Sequence, residues 1–488
     1  MQPTMDLSQF PLEVLEVLAN YLSVQDLSAC SAVSIRWREA FNLDLFWRRH
    51  CDPLVAGYLQ RTTNLVKPRF TEPFSVGSLE PLCPWRIHLM RRAFLFRNWS
   101  KGRTTVQNMK FPSPVVNCTL KMDQSGTHWL LVNLGDRTEI WNVEAEPQLH
   151  ATVGNITAAP SYLDIVGGKL IIVDFYYLVQ VFHLKLPLTG FAPSSKFFYT
   201  DSESLYVDLA NDDDFIAVRD RLRSTFSKGH FLFSADHLLI GYCSYVEDMK
   251  ENFLHIWNMN FETKYAQENI CSALQNKLKT RSCSAYLTSD TNSKMLLCSI
   301  YLYDKYITKL VIYSLRSKVF TNFNMTISGK VDWCAISGGL VATSHLLHQL
   351  HIYSTHSGNL LNILDTNTRM FFGPNSGLQY QMMDPYLVQP SRESVKIINI
   401  NNHLDSLLLY FYSVYKVITI PPYFVAISAR PYLSSNKMIF EVWNVKQKMR
   451  MFEHLVAEAN CPAFHIIEPL ITKTAIAVGK NIRLLSFW

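Results

Sequence analysis

Three histidines, His345, His348 and His351, recur at three-residue spacing, and clustered imidazoles are what a zinc site draws on. Such ligands converge when a turn or a helix face gathers them. In a strand, His345 and His351 share one face and His348 points the other way. The histidines are therefore read as polar filling of a turn, and no metal or other cofactor is expected. A second candidate is Arg219-Asp220-Arg221-Leu222-Arg223, which follows Asp212-Asp213-Asp214. Its guanidinium groups have the planar fork that grips a phosphorylated peptide through paired hydrogen bonds. The competing reading is a solvated insertion loop. The sequence has no P-loop, no glycine-rich dinucleotide turn, no H-E-x-x-H and no G-x-S-x-G. No catalytic residues are assigned, and the chain is not expected to be an enzyme.

Bulk properties narrow the partners. A chain of 488 residues suggests a small module joined to a large one. With 18% charged and 48% apolar residues, it has the composition of a folded protein. The net charge of +6 is modest and its basic residues are scattered, so nucleic acid is not an expected partner. Ten cysteines without a C-x-x-C pair, and no secretory leader in view, point to reduced, mostly buried thiols in the cytoplasm or nucleus. The most apolar stretch, Leu407 to Ile420, is interrupted by Lys416 and closed by Pro421-Pro422. It is too short to span a bilayer and too rich in Tyr and Val to favour a helix, so it reads as strand and no membrane partner is expected.

The elements that organise the chain begin at its N-terminus. Pro11 suits the first position of a helix, and Glu13 favours the positive end of the helix dipole. Leu12, Leu15, Leu18 and Leu22 recur at helical spacing, with Val14, Val17 and Tyr21 beside them, giving an apolar arc wide enough for two faces. Ser23-Val24-Gln25-Asp26 reads as a capping box. A second helix with Leu27, Cys30 and Val33 follows, then a third with Trp37-Arg38 and a short turn with Leu45, Phe46 and Trp47. So small a bundle has more apolar residues than it can hide. It is expected to finish its core against another protein.

Phe10-Pro11-Leu12-Glu13, Asp26-Leu27, Val33-Ser34-Ile35-Arg36-Trp37-Arg38 and Phe46-Trp47-Arg48, in that order, resemble the F-box across residues 6–50. Phe10 stands where the family more often has Leu. Residues 51–80 then form a weakly periodic linker. Pro84 to Gly102 reads as a connecting helix with Trp85, Leu89, Ala93 and Phe96 on a buried face and arginines on a solvated one. Its Asn98-Trp99-Ser100-Lys101-Gly102 end resembles the connector of F-box/WD-repeat proteins; linker and connector together span 51–102.

Beyond it, helix signals nearly vanish and one pattern recurs: a strand, a polar turn, then a second strand ending aliphatic–bulky–polar–aliphatic. Its bulky positions are Trp141, Phe182, Trp257, Tyr313, Tyr353, Ile398, Trp443 and Leu485, separated by 41, 75, 56, 40, 45, 45 and 42 residues. Most intervals match the ~40–45 residues of a WD-type blade. The 75-residue interval requires an insertion, across Ser202 to His230, or an unrecognised blade. The copy 123–143 resembles a WD repeat, with Asp136 in the inter-strand turn and Asn142 where the family prefers Asp. No Trp-Asp dipeptide occurs.

The expected fold class is therefore α+β multidomain: a small all-α F-box module, a helical connector and an all-β WD40-like propeller over 103–488. Eight blades are counted, with seven the alternative, and Arg103 to Met109 is expected to supply the missing outer strand of the last blade. The resemblance implies a substrate receptor of a Skp–cullin–F-box ubiquitin ligase. It would bind a Skp-type adaptor, and through it a cullin, and present a protein target of unknown identity. Pro11, Leu12, Val14, Leu15, Leu18, Leu22 and Trp37 are assigned to the adaptor, and Leu27, Val33 and Trp47 to the module's own core. Two other readings stand beside it: a scaffold that binds the adaptor without a cullin, and a propeller enzyme, for which no constellation of Asp, His or Glu is in register across the repeats.

Overall fold

Pro11 has an extended ψ of 148° and so precedes the first helix instead of opening it; its carbonyl accepts from the N–H groups of Val14 and Leu15. Four short helices follow: α1 (Leu12–Asn20), α2 (Val24–Val33), α3 (Ile35–Phe41) and α4 (Asp44–Arg48). The capping box forms as expected, with Asp26 N–H donating to Ser23 Oγ at 3.2 Å and Ser23 N–H donating to Asp26 Oδ2 at 3.0 Å. Ser34 caps α3 in the same way, accepting from Trp37 N–H. The computed structural model describes residues 10–51 and 82–487, except for 124–125, 155–161, 167–168, 174–177, 184–194, 199–230, 236–237, 245–251, 259–262, 270–282, 291–294, 303–304, 346–348, 366–380, 384, 403–404, 421–422, 432–436, 459–464 and 470–471.

The helical module does not wait for a partner to close its core. Leu15, Ala19, Leu27, Phe41, Phe46 and Trp47 pack with Cys51 and, from beyond the linker, with Cys83 and Leu89. The last belongs to α5 (Pro84–Ser100), a helix of 17 residues and so about 25 Å long. Its first N–H groups are capped from 41 residues away: Cys83 N–H donates to Asn42 Oδ1 at 3.0 Å and Trp85 N–H to Asp44 Oδ1 at 3.1 Å. A carboxylate there also complements the helix dipole. The guanidinium of Arg86 lies 4.7 Å from the Trp47 ring centroid. Expected solvation of the α5 arginines holds for Arg97 but is overturned for Arg86 and Arg91, which are both buried, whereas Ala93 is exposed. The helix is covered from more than one side, so a single buried face is the wrong picture.

The far half of α5 enters a different core. Leu95 and Trp99 pack among Ile420, Phe424, Phe440, Phe452 and Phe487. Asn98 Nδ2 donates to the carbonyl of Phe487 at 2.9 Å, and Asn98 accepts in turn from Arg103 N–H. Gly102 takes a φ of +59°, a left-handed turn that ends the helix beside Phe452.

The described residues after α5 are organised as eight four-stranded antiparallel sheets. Seven occupy 117–154, 162–198, 231–269, 283–328, 331–365, 381–410 and 413–458. The eighth combines His465–Pro469, Lys473–Val478 and Asn481–Ser486 with Thr105–Lys110, which lies outermost and pairs Thr105 with Ser486 and Lys110 with Asn481. Each bulky repeat position, from Trp141 to Leu485, falls on the third strand of a successive sheet. The apolar stretch 407–420 is divided between Ser406–Tyr410 and Ser413–Ile420. No helix among the described residues is long and apolar enough to cross a membrane.

The first strand of each sheet lies against the first strand of the next, and Asn117–Met122 of the first sheet lies against His465–Pro469 of the eighth. A polar joint crosses that last seam. His128 Nδ1 is 2.7 Å from Glu144 Oε2, and its Nε2 is 3.0 Å from Thr472 Oγ1. The buried ammonium of Lys473 donates to the carbonyls of Val143 and Glu144. Burial alone raises the Glu144 carboxyl, but the hydrogen bonds and charge of His128, with Lys473 nearby, outweigh it and hold the group below its ordinary value.

Candidate functional site

At about 100° of rotation per residue, α1 separates into two faces. Leu15 and Ala19 turn inward, and Leu22, just past the helix, is half-buried against the same core. On the other side Val14, Val17, Leu18 and Tyr21 follow the i, i+3, i+4, i+7 rule and form one apolar stripe in solvent. Val17 is 56% exposed, Leu18 39% and Tyr21 86%. Burying a Leu or Val side chain gains about 1.5–3 kcal/mol, so such a row is a costly surface unless something covers it. Exposed apolar patches of this kind mark protein interfaces.

The residues assigned to the adaptor thus divide. Val14 and Leu18 lie on the outward stripe. Pro11 and Leu12 are exposed at the start of α1, with Leu12 on the edge nearer the core face. Leu15 is 4% exposed and is a core residue, which corrects its assignment: its neighbours Phe46 and Trp47 already cover it. Leu22 and Trp37 are half-buried and lean on the core, the Trp37 ring 5.6 Å from that of Phe41. Val17 and Tyr21, which are not assigned to the adaptor from sequence, complete the stripe at helical spacing from Val14. Of the residues assigned to the module's interior, Leu27 and Trp47 are buried, and Trp47 Nε1 donates to the carbonyl of Phe41. Val33 is exposed instead, next to exposed Ile35 at the α2–α3 junction.

Among the described residues the rest of the candidate chemistry does not gather into a site. His351 Nδ1 lies 3.1 Å from the Tyr353 hydroxyl, while His348 and the side chain of His345 lie outside the described residues. Among the described residues no group of three metal-ligating side chains converges. The acidic run at 212–214 and the arginines at 219–223 also lie outside them. Cys51, Cys83, Cys118, Cys298 and Cys334 are buried free thiols, and burial pushes Cys83 up to about 11 and Cys334 up to about 12. Such thiols are poor nucleophiles.

No curated protein sequence matches this chain. Among solved structures, the computationally designed Ika8 protein aligns over 77% of this chain and 97% of its own, at 8% identity and a TM-score of 0.42, a likeness too low to carry an argument. The F-box-like family model matches residues 7–53. The four helices that carry the exposed stripe are therefore an F-box-like domain.

Proposed function

We propose that this chain is the substrate-receptor subunit of a Skp–cullin–F-box ubiquitin ligase. F-box domains generally bind Skp-type adaptors, and the observation that carries the reading is the solvent-facing stripe Val14, Val17, Leu18 and Tyr21 on a domain whose own core is already closed. An adaptor docked on that stripe would bury it. Bond chemistry is left to other subunits, and the contribution of this chain is orientation and effective concentration.

The β-region is read as a closed eight-bladed WD40-like propeller. Support comes from the unbroken series of first-strand neighbours and from Thr105–Lys110 completing the last sheet. α5 meets the end of the sheets where Ile420 pairs with Phe424, that is, where first strands turn into second ones. Connections from one sheet to the next leave from the opposite end, and the target is assigned to that end, turned away from the F-box.

Affinity capture tests the ligase reading. The full chain should recover a Skp-type adaptor together with a cullin, and a Val17→Asp, Leu18→Asp double variant should recover neither. Adaptor without cullin would replace the receptor with a scaffold.

A further inference from the structure

Helix α5 carries more positive charge than its surroundings answer. Between Pro84 and Arg103 stand Arg86, Arg91, Arg92, Arg97, Lys101 and Arg103 without one Asp or Glu. Arg91 is the extreme case: it is 5% exposed, and its Nε and Nη1 have no hydrogen-bond partner among the described residues. One helical turn earlier, on the same face, the Nδ1 of His88 is buried and equally unpartnered. Burial, and then the charge of Arg91, push His88 below the ordinary imidazole range; Asp44 opposes this but is already engaged by Trp85 N–H. Burial lowers Arg91, and no carboxylate among the described residues opposes it.

A guanidinium does not escape burial by losing its proton. Water can satisfy its N–H groups but cannot supply countercharge, and an uncompensated buried ion is costly. The position along the helix matters too. Leu89 belongs to the core of the F-box-like domain and Leu95 to the cluster of the seventh and eighth sheets, so Arg91 sits where α5 passes from one to the other, with His88 one turn nearer the F-box-like domain.

We propose that the His88–Arg91 face of α5 binds a compact oxyanion of the phosphate class, taken from solution, at the junction between the F-box-like domain and the β-region. The oxygens accept from Arg91 and His88, and the bound charge stabilises the helix that joins the two parts. This site is independent of the adaptor stripe on α1.

The test is thermal unfolding of the full chain titrated with inorganic phosphate and tripolyphosphate, against chloride at matched ionic strength. The expected result is a saturable rise of several degrees with the phosphates alone. Arg91→Met should abolish that response and, without phosphate, unfold no earlier than the parent chain, because it removes an unanswered charge. Arg91→Lys, which keeps the charge and loses the fork, should respond more weakly than the parent chain. Equal responses to phosphate and chloride, or an intact response in Arg91→Met, would overturn the proposal. Stabilisation by polyglutamate but not by phosphate would assign the face to an acidic protein and overturn it as well. Should Arg91→Met not fold, the contrast between parent and Arg91→Lys decides, and equal responses from those two refute the site.

Discussion

Helices α1 and α5 are both rich in apolar residues, yet they end in opposite states. α1 buries Leu15 and Ala19 and leaves Val14, Val17, Leu18 and Tyr21 in solvent. α5 finds cover at both of its ends: Leu89 packs into the F-box-like domain, and Leu95 and Trp99 pack into the cluster of the seventh and eighth sheets. An apolar surplus is therefore not by itself an interface. What decides is whether the same chain supplies a cover, and for the outer face of α1 the described residues supply none.

Substitutions along the two helices should separate these states. Trp99→Ala has the largest expected effect, a loss of about 3–5 kcal/mol in denaturant unfolding, since the indole packs against Phe424 and Phe487 at ring separations of 5.2 and 5.1 Å. Leu15→Ala should cost about 2–5 kcal/mol, and that loss would mark the inward face of α1 as core. A loss below about 0.5 kcal/mol would return Leu15 to the adaptor face. Ser23→Ala removes the cap of α2 and should cost about 1 kcal/mol.

The smallest effect concerns pH and belongs to α5. The folded pKa of His88 lies below the free value of 6.5, from burial first and from Arg91 second. The unfolded chain therefore binds the extra proton more readily. Stability contributed by neutral His88 is complete above pH 6.5 and falls as pH drops below it. In phosphate-free buffer, His88→Gln should make the unfolding temperature less sensitive to pH between about 7 and 5. An unchanged slope would remove His88 from the account.

Sequence patterns made the β-region legible because its signal is periodic and local. An aliphatic–bulky–polar–aliphatic end marked each third strand, even where the separation was 75 residues, between Phe182 and Trp257. No further sheet stands between these two among the described residues, and 199–230 lie outside them. The capping box at Ser23 was legible for the same reason: its residues are three apart. The faces of α1 were harder to read. An apolar arc from Leu12 to Leu22 does not say which half is inward until the position of α4 and α5 is known, and α5 lies beyond a linker of unreadable pattern. The burial of Arg86 and Arg91 is hidden from the sequence for a related reason, since charge predicts exposure only where no neighbouring element covers the helix.

The outward stripe of α1 is proposed as the adaptor face. This assignment is tested most directly by titrating a Skp-type adaptor into the full chain and into the Val17→Asp, Leu18→Asp variant, with unfolding of both followed in parallel. The expected result is at least about a 100-fold loss of affinity, roughly 2.7 kcal/mol, with an unfolding midpoint unchanged. Parent-like affinity in a folded variant would contradict it.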